Sequence, residues 1–137
     1  MMVGRSIDIQ RTRDYYKQLS FDDLCQCDYC KNYVKEVKAA YPRLAKFLDS
    51  LGIDIEKPFE TSYSDPETGR LEYFQVMYVA FGNPDGWINT EVDGVKVYIT
   101  RSGPANNIKE DHFVIALSSV ILKCEEMIEE KSDIHEK

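Results

Sequence analysis

No stretch of the chain reaches the ~18 consecutive apolar residues that a membrane-crossing helix requires, and Met1 to Gln10 has no apolar core of the kind a secretion signal carries. These two absences lead to the expectation of a cytoplasmic protein without a membrane partner. Positive charge is also scarce: 17 Lys and Arg stand against 24 Asp and Glu, for a net charge of −7 and a pI near 4.8. A broad phosphate-binding surface works by setting Lys and Arg against the nucleic-acid backbone, so nucleic acid is not the expected partner. The local exception, Arg5, Arg11, Arg13 and Lys17, reads as a solvated face rather than a binding arm. The sequence has no Gly-rich phosphate loop, no metalloprotease helix and no kinase or deaminase signature. It also has no internal repeat, low-complexity tract or Gly/Pro-rich linker, which makes residues 1–137 a single expected domain.

What is there is a globular composition, 43% hydrophobic and 12% aromatic, with nine Tyr and six Phe. A chain of 137 residues buries about two-thirds of its unfolded surface, so it needs neither metal nor disulfide merely to fold. Its four cysteines are therefore expected to be thiols or metal ligands in a reducing compartment.

Residues 1–19 form a polar lead-in with a short helix expected at 14–19. Ser20 and Asp23 carry the spacing of a capping box. Beyond the cysteines, Tyr29, Tyr33, Val34, Val37 and Ala40 recur at three- and four-residue spacings between charged residues, the apolar stripe of a helix over 28–40. Pro42 suits a first helical position, Leu44, Phe47, Leu48 and Leu51 form the next stripe, and Gly52 sits where a left-handed cap falls, so a second helix is expected over 42–51.

From Ile53 the period changes to that of strands. Pro58 opens an edge strand over 59–64, and Asp65 to Gly69 is a turn with Pro in second place and Gly at its end. The run 71–81 is apolar on both faces in its second half and is expected to be central. Asp93-Gly94 between 87–92 and 95–101 is the strongest hairpin signal. It pairs Val92 with Val95, Thr90 with Val97 and Ile88 with Ile99, and sets Glu91 against Lys96. Residues 102–111 read as a loop and 112–122 as a strand, with a helix over 111–130 as the competing assignment. The tail 123–137 is charged, with a helical look over 123–131. Helices first and antiparallel strands after them make the expected class α+β, with N-terminal helices packed on an antiparallel sheet of about five strands. The segments are the lead-in (1–19), the cysteine cluster and helices (20–52), the sheet (53–122) and the tail (123–137).

Cys25, Cys27 and Cys30 fall within six residues. Cys27 and Cys30 differ by three, so one helical turn brings both sulfurs to one side, and Cys25 reaches the same point from an extended lead-in. Three thiolates want a fourth ligand to complete tetrahedral zinc. Asp22, Asp23, Asp28, His112 and His135 are candidates, and Cys124 is preferred on ligand chemistry. The expected metal set is therefore Cys25, Cys27, Cys30 and Cys124, with zinc as cofactor. Two other readings stay open: buried reduced thiols that pack as small hydrophobes, and redox chemistry at Cys27 and Cys30. Against redox, Asp22, Asp23 and Asp28 raise a thiol pKa and no βαβ pattern surrounds the motif. Iron–sulfur ligation ranks last, because the full cysteine run is absent.

Asp22, Asp23 and Asp28 double as helix-start charges. Trp87 reads as a core aromatic at a strand start. Asp111 with His112 is weak as an acid/base pair, with no nucleophile in a known context beside it.

The segment from Asp22 to Tyr33, with the step Leu51-Gly52-Ile53-Asp54 and Lys57-Pro58, resembles a family of short uncharacterised bacterial proteins. The shared elements are a Cys-x-Cys-x-x-Cys-x-Asn-aromatic start, a Leu-Gly-Ile-Asp step and a Lys-Pro lead into strands, and the likeness runs to about Leu122. It implies the cysteine cluster as a shared feature and no activity, and Cys124 and the charged tail lie outside its pattern. The leading expectation is a non-enzymatic, zinc-stabilised module that contacts a protein partner through its sheet. A thiol-based redox enzyme or sensor and a small metal-dependent hydrolase or transferase are the alternatives.

Overall fold

A computed structural model describes residues 7–65, 69–85, 87–100 and 112–124. Three helices, α1 (Ile9–Gln18), α2 (Asp28–Ala40) and α3 (Pro42–Ser50), precede six antiparallel strands. These are β1 (Glu60–Tyr63), β2 (Arg70–Phe81), β3 (Thr90–Val92), β4 (Val95–Thr100), β5 (His112–Leu117) and β6 (Val120–Lys123). The strands form one sheet in the order β1-β2-β5-β4-β3, with β6 also paired to β2. The class is α+β, as expected, with one strand more than the anticipated five.

The extra strand arises inside the run 112–122. Its strand character holds, but it breaks at Ser118 and Ser119, the latter at φ +58°. Both halves keep one register on β2: Leu117 pairs with Val76 and Val120 with Tyr73, three residues apart on each strand. Opposite the break, β2 carries a bulge, because Ser62 of β1 pairs with Gln75 while Tyr63 pairs with Tyr73. The extra residue, Phe74, is turned out to solvent, and Tyr73 and Val76 both reach the core despite their opposite parity. The competing helix over 111–130 is excluded where the chain is described, since His112–Leu117 is a strand.

α2 runs over the expected residues, and α3 stops one residue short of its forecast at Ser50, with Gly52 left-handed at φ +87°. The first helix is longer than the expected 14–19. It starts at Ile9 because Asp8 caps it, accepting from the Arg11 N–H at 3.0 Å. Thr12, fully buried, then ties the helix to β2 by accepting from the Phe81 N–H at 3.0 Å and donating to the Asp8 carbonyl. Ser20 and Asp23 form the expected capping box on a single 3-10 turn, Phe21–Asp23.

The Asp93-Gly94 hairpin has the forecast register, Val92 with Val95, Glu91 with Lys96 and Thr90 with Val97. Both turn residues have positive φ, 54° and 79°, as a type I′ turn requires. The first strand of the pair is shorter than forecast: β3 starts at Thr90, so Ile88 is unpaired with Ile99 and is exposed. Trp87 is half-buried against the core, as expected, but not at a strand start; its indole N–H donates to Asn89 Oδ1 at 2.9 Å. Most of the core lies between the helices and one face of the sheet, joined by Tyr33, Leu44 and Leu48 from the helices and Tyr73, Tyr78 and Ile115 from the strands. A smaller cluster of Met77, Val114 and Ala116 lies apart from it. The loop over 102–111, the centre of the turn at 66–68 and the tail beyond Cys124 lie outside the described residues.

Candidate metal centre

The sulfur cluster is assembled by the start of α2. Cys27 is the N-cap residue, in extended conformation, and its Sγ accepts from the Cys30 N–H at 3.4 Å. A thiol takes the place that Ser or Asp holds at most helix starts, because the cap demands an acceptor on a short side chain. That bond draws Cys27 Sγ over the first turn, from which Cys30 projects, and Cys25 reaches the same point from the segment before the helix. The ligand atoms of Cys25, Cys27 and Cys30 all lie within 4.8 Å of one another. All three are free thiols, with Cys25 exposed and the other two half-buried.

Cys30 is half-buried, with its Sγ 3.5 Å from Thr61 Oγ1 on β1. Burial pushes its thiol up to about 12, and the neighbouring Cys25 and Cys27 add to the rise against the lowering effect of Thr61. The Cys25 thiol is lowered, first by a hydrogen bond from the Cys27 backbone and then by the Cys30 and Cys27 side chains. The exposed Cys25 is thus readier to ionise than the half-buried Cys30.

A pocket of about 220 Å³ touches all three cysteines. Leu24, Val34, Pro58 and Phe59 give it apolar walls, and Glu60 and Thr61 of the edge strand β1 are its polar residues beside the thiols. Tyr63 closes one side and stacks on Tyr29 of α2, ring centroids 4.3 Å apart. β1 thus belongs to the site, which the sequence did not reveal, because the edge strand meets the cysteines only through its pairing with β2.

The preferred fourth ligand is placed elsewhere. Cys124 follows β6, is 1% exposed and belongs to the hydrophobic core. Its sulfur is not among those that converge, and burial raises its thiol pKa. Among the described residues no fourth His, Cys, Asp or Glu joins the three. Asp22 and Asp23 are engaged at the 3-10 turn, where the Asp23 carboxylate accepts from Ser20, and Asp28 is an exposed first-turn residue of α2. His112 lies at the far end of the sheet, paired with Phe81, while His135 and Asp111 fall outside the described residues.

The donor set suits a soft metal. Sulfurs bound at about 2.3 Å around a tetrahedral ion stand roughly 3.8 Å apart, inside the 4.8 Å the thiols already span. Asn32, in the turn after Cys30, is a second residue whose role the sequence left unassigned. Its Nδ2 donates to the Lys123 carbonyl at 2.7 Å and to Tyr73 Oη at 3.3 Å, and Tyr73 in turn donates to the Tyr29 carbonyl at 2.6 Å. These bonds fasten the cysteine-bearing turn of α2 to β2 and β6. No helix among the described residues is long and apolar enough to cross a membrane.

No protein-family model, no curated protein and no solved structure matches this chain.

Proposed function

We propose that Cys25, Cys27 and Cys30 bind one soft metal ion, zinc in the first instance, as three thiolates at the start of α2, and that the ion stiffens a non-enzymatic protein-interaction module. The observation that carries this reading is the convergence of three free thiols within 4.8 Å without a disulfide between them. Among the described residues no fourth protein ligand joins the three sulfurs, all of which line the 220 Å³ pocket, so water or an external donor would have room to complete such an ion. The sheet supplies the partner surface, with Phe74 on β2 52% exposed. Free thiols suit a cytoplasmic location, and the resemblance to short uncharacterised bacterial proteins is supported by the motif residues alone.

Native mass spectrometry of protein purified without chelator tests the reading. One zinc per chain is expected, and Cys25→Ser, Cys27→Ser or Cys30→Ser lowers both metal content and melting temperature. Unchanged values on both counts overturn it.

The lowered Cys25 thiol favours one second reading, a thiol redox switch. Here Cys25 and a neighbouring cysteine give up two protons and two electrons to a peroxide, which is reduced to water, and the chain becomes roughly 2 Da lighter as the disulfide forms. A metal-free chain that shows this mass loss, reversed by dithiothreitol, selects the switch over the metal centre.

A further inference from the structure

Five cations from four stretches of the chain line one cavity of about 520 Å³ that has no cysteine in its lining. Arg13 and Lys17 come from α1, Lys38 from the end of α2, Lys46 from α3 and Lys57 from the segment before β1. Two carboxylates, Asp49 and Asp54, also line it, so five positive charges face two negative ones in a chain whose net charge is −7. The sequence separates these cations, and only the fold gathers them.

Three of the five are already engaged. Arg13 donates to Asp49 Oδ1 at 3.2 Å and to the Asp49 carbonyl at 2.9 Å, which holds its guanidinium against α3. Lys38 stands 3.9 Å from Glu56. Lys57 donates to the carbonyls of Tyr16 and Leu19 at the end of α1, at 2.8 and 2.6 Å. Lys17 and Lys46 are exposed and make no ion pair among the described residues. The floor between them is apolar, built from Tyr16, Ile53 and Ile55, all buried.

An apolar floor under a cationic rim is the arrangement that takes a small organic anion, and the volume lies in the range of about 300–1,000 Å³ common to small-molecule sites. The strongly negative remainder of the chain repels a long polyanion, which favours a compact ligand over a nucleic acid. We infer that this cavity binds a small organic phosphate, its phosphate between Lys17 and Lys46 and its body on the Tyr16 and Ile53 floor. Lys ammoniums act there as point charges on the phosphate oxygens.

Phenyl phosphate is the probe, titrated into ¹⁵N-labelled full-length protein at low ionic strength, beside inorganic phosphate and phenol as head and body alone. Amide shifts at Lys17, Lys46 and Gly52 to Lys57 are expected, with phenyl phosphate binding at least tenfold more tightly than either fragment and losing affinity as salt rises. The double variant Lys17→Gln/Lys46→Gln changes two exposed side chains, should keep the parent's melting temperature, and is expected to weaken binding at least tenfold. Absence of shifts at millimolar probe, shifts elsewhere, phenol binding as tightly as phenyl phosphate, or undiminished binding by the double variant would each overturn the assignment. The cysteines take no part, so the result is independent of the metal reading.

Discussion

Asp93, in the hairpin turn, caps α3 from fifty residues away: its Oδ2 accepts from the Arg43 N–H at 2.9 Å and from the Leu44 N–H at 3.0 Å. α3 has no capping side chain of its own, since Tyr41 occupies the N-cap position and Pro42 follows. The same aspartate holds φ +54° in the turn, so one residue serves the hairpin and the helix together.

Substitution separates the two duties. Asp93→Gly keeps the left-handed turn and deletes the cap, and should cost about 1 kcal/mol, the usual worth of a capping side chain. Asp93→Ala loses the cap and also strains the backbone by roughly another 1–2 kcal/mol, whereas Asp93→Asn retains an acceptor and a tolerant backbone. Urea unfolding should therefore rank the wild type and Asn variant above Gly, and Gly above Ala. An Ala variant as stable as the Gly variant would show that the turn conformation carries no cost.

Truncation of Cys124 and truncation of the cluster should differ in their effect on metal content. Cys124 is buried in the core, next to the Lys123 carbonyl that Asn32 holds, so Cys124→Ala removes a packed sulfur and should destabilise the fold by about 1 kcal/mol. Metal content should be unaffected, whereas Cys27→Ala should lose metal along with the cap bond to Cys30. Metal analysis and thermal melts on both variants make the comparison. Loss of metal from Cys124→Ala would restore the four-thiolate centre anticipated from ligand chemistry.

Periodicity and turn chemistry made much of the fold legible. The Tyr33 and Val37 stripe located α2, Pro42 and Gly52 bracketed α3, and Asp93-Gly94 set a hairpin register that holds over three residue pairs. Tertiary features were not legible. The bulge at Phe74 and the break at Ser118 depend on each other across two strands. The tie between α1 and β2 joins Thr12 to a strand residue sixty-nine positions away, whereas the Asp8 cap that starts the helix at Ile9 is a local signal. In the site, the spacing of Cys25, Cys27 and Cys30 brought out the local convergence, since a helix start fixes that geometry within a few residues. The identity of the residues opposite them, Thr61 and Tyr63, and the withdrawal of Cys124 into the core follow from strand pairing, which no local pattern encodes.

Four tyrosines make the fold sensitive to alkali. Tyr16, Tyr33, Tyr73 and Tyr78 are buried, and burial raises the pKa of each phenol above its ordinary value near 10. Tyr16 donates to the Val79 carbonyl and Tyr78 to the Ile55 carbonyl, both at 2.7 Å, so Tyr33, whose hydroxyl meets that of Tyr78, is the donor of that pair. The native state keeps these phenols protonated while the unfolded chain ionises them near pH 10. Their contribution to stability is therefore complete below pH 10 and is lost as pH rises towards the native values. For Tyr16, Tyr33 and Tyr78, whose hydroxyls make the core hydrogen bonds just given, the loss is about 4 kcal/mol per pH unit, which exhausts a typical domain stability of about 5–15 kcal/mol within a few units. A cooperative step in absorbance at 295 nm, coincident with loss of circular dichroism, is expected above pH 10. Tyr33→Phe removes one ionising group and a single donor, so it should flatten this dependence by about a third at a cost near 1 kcal/mol at neutral pH. Tyr78→Phe strands both the Tyr33 hydroxyl and the Ile55 carbonyl and should cost about 1–3 kcal/mol. Gradual titration of these phenols near pH 10 without unfolding would place them in contact with solvent and remove the basis of the prediction.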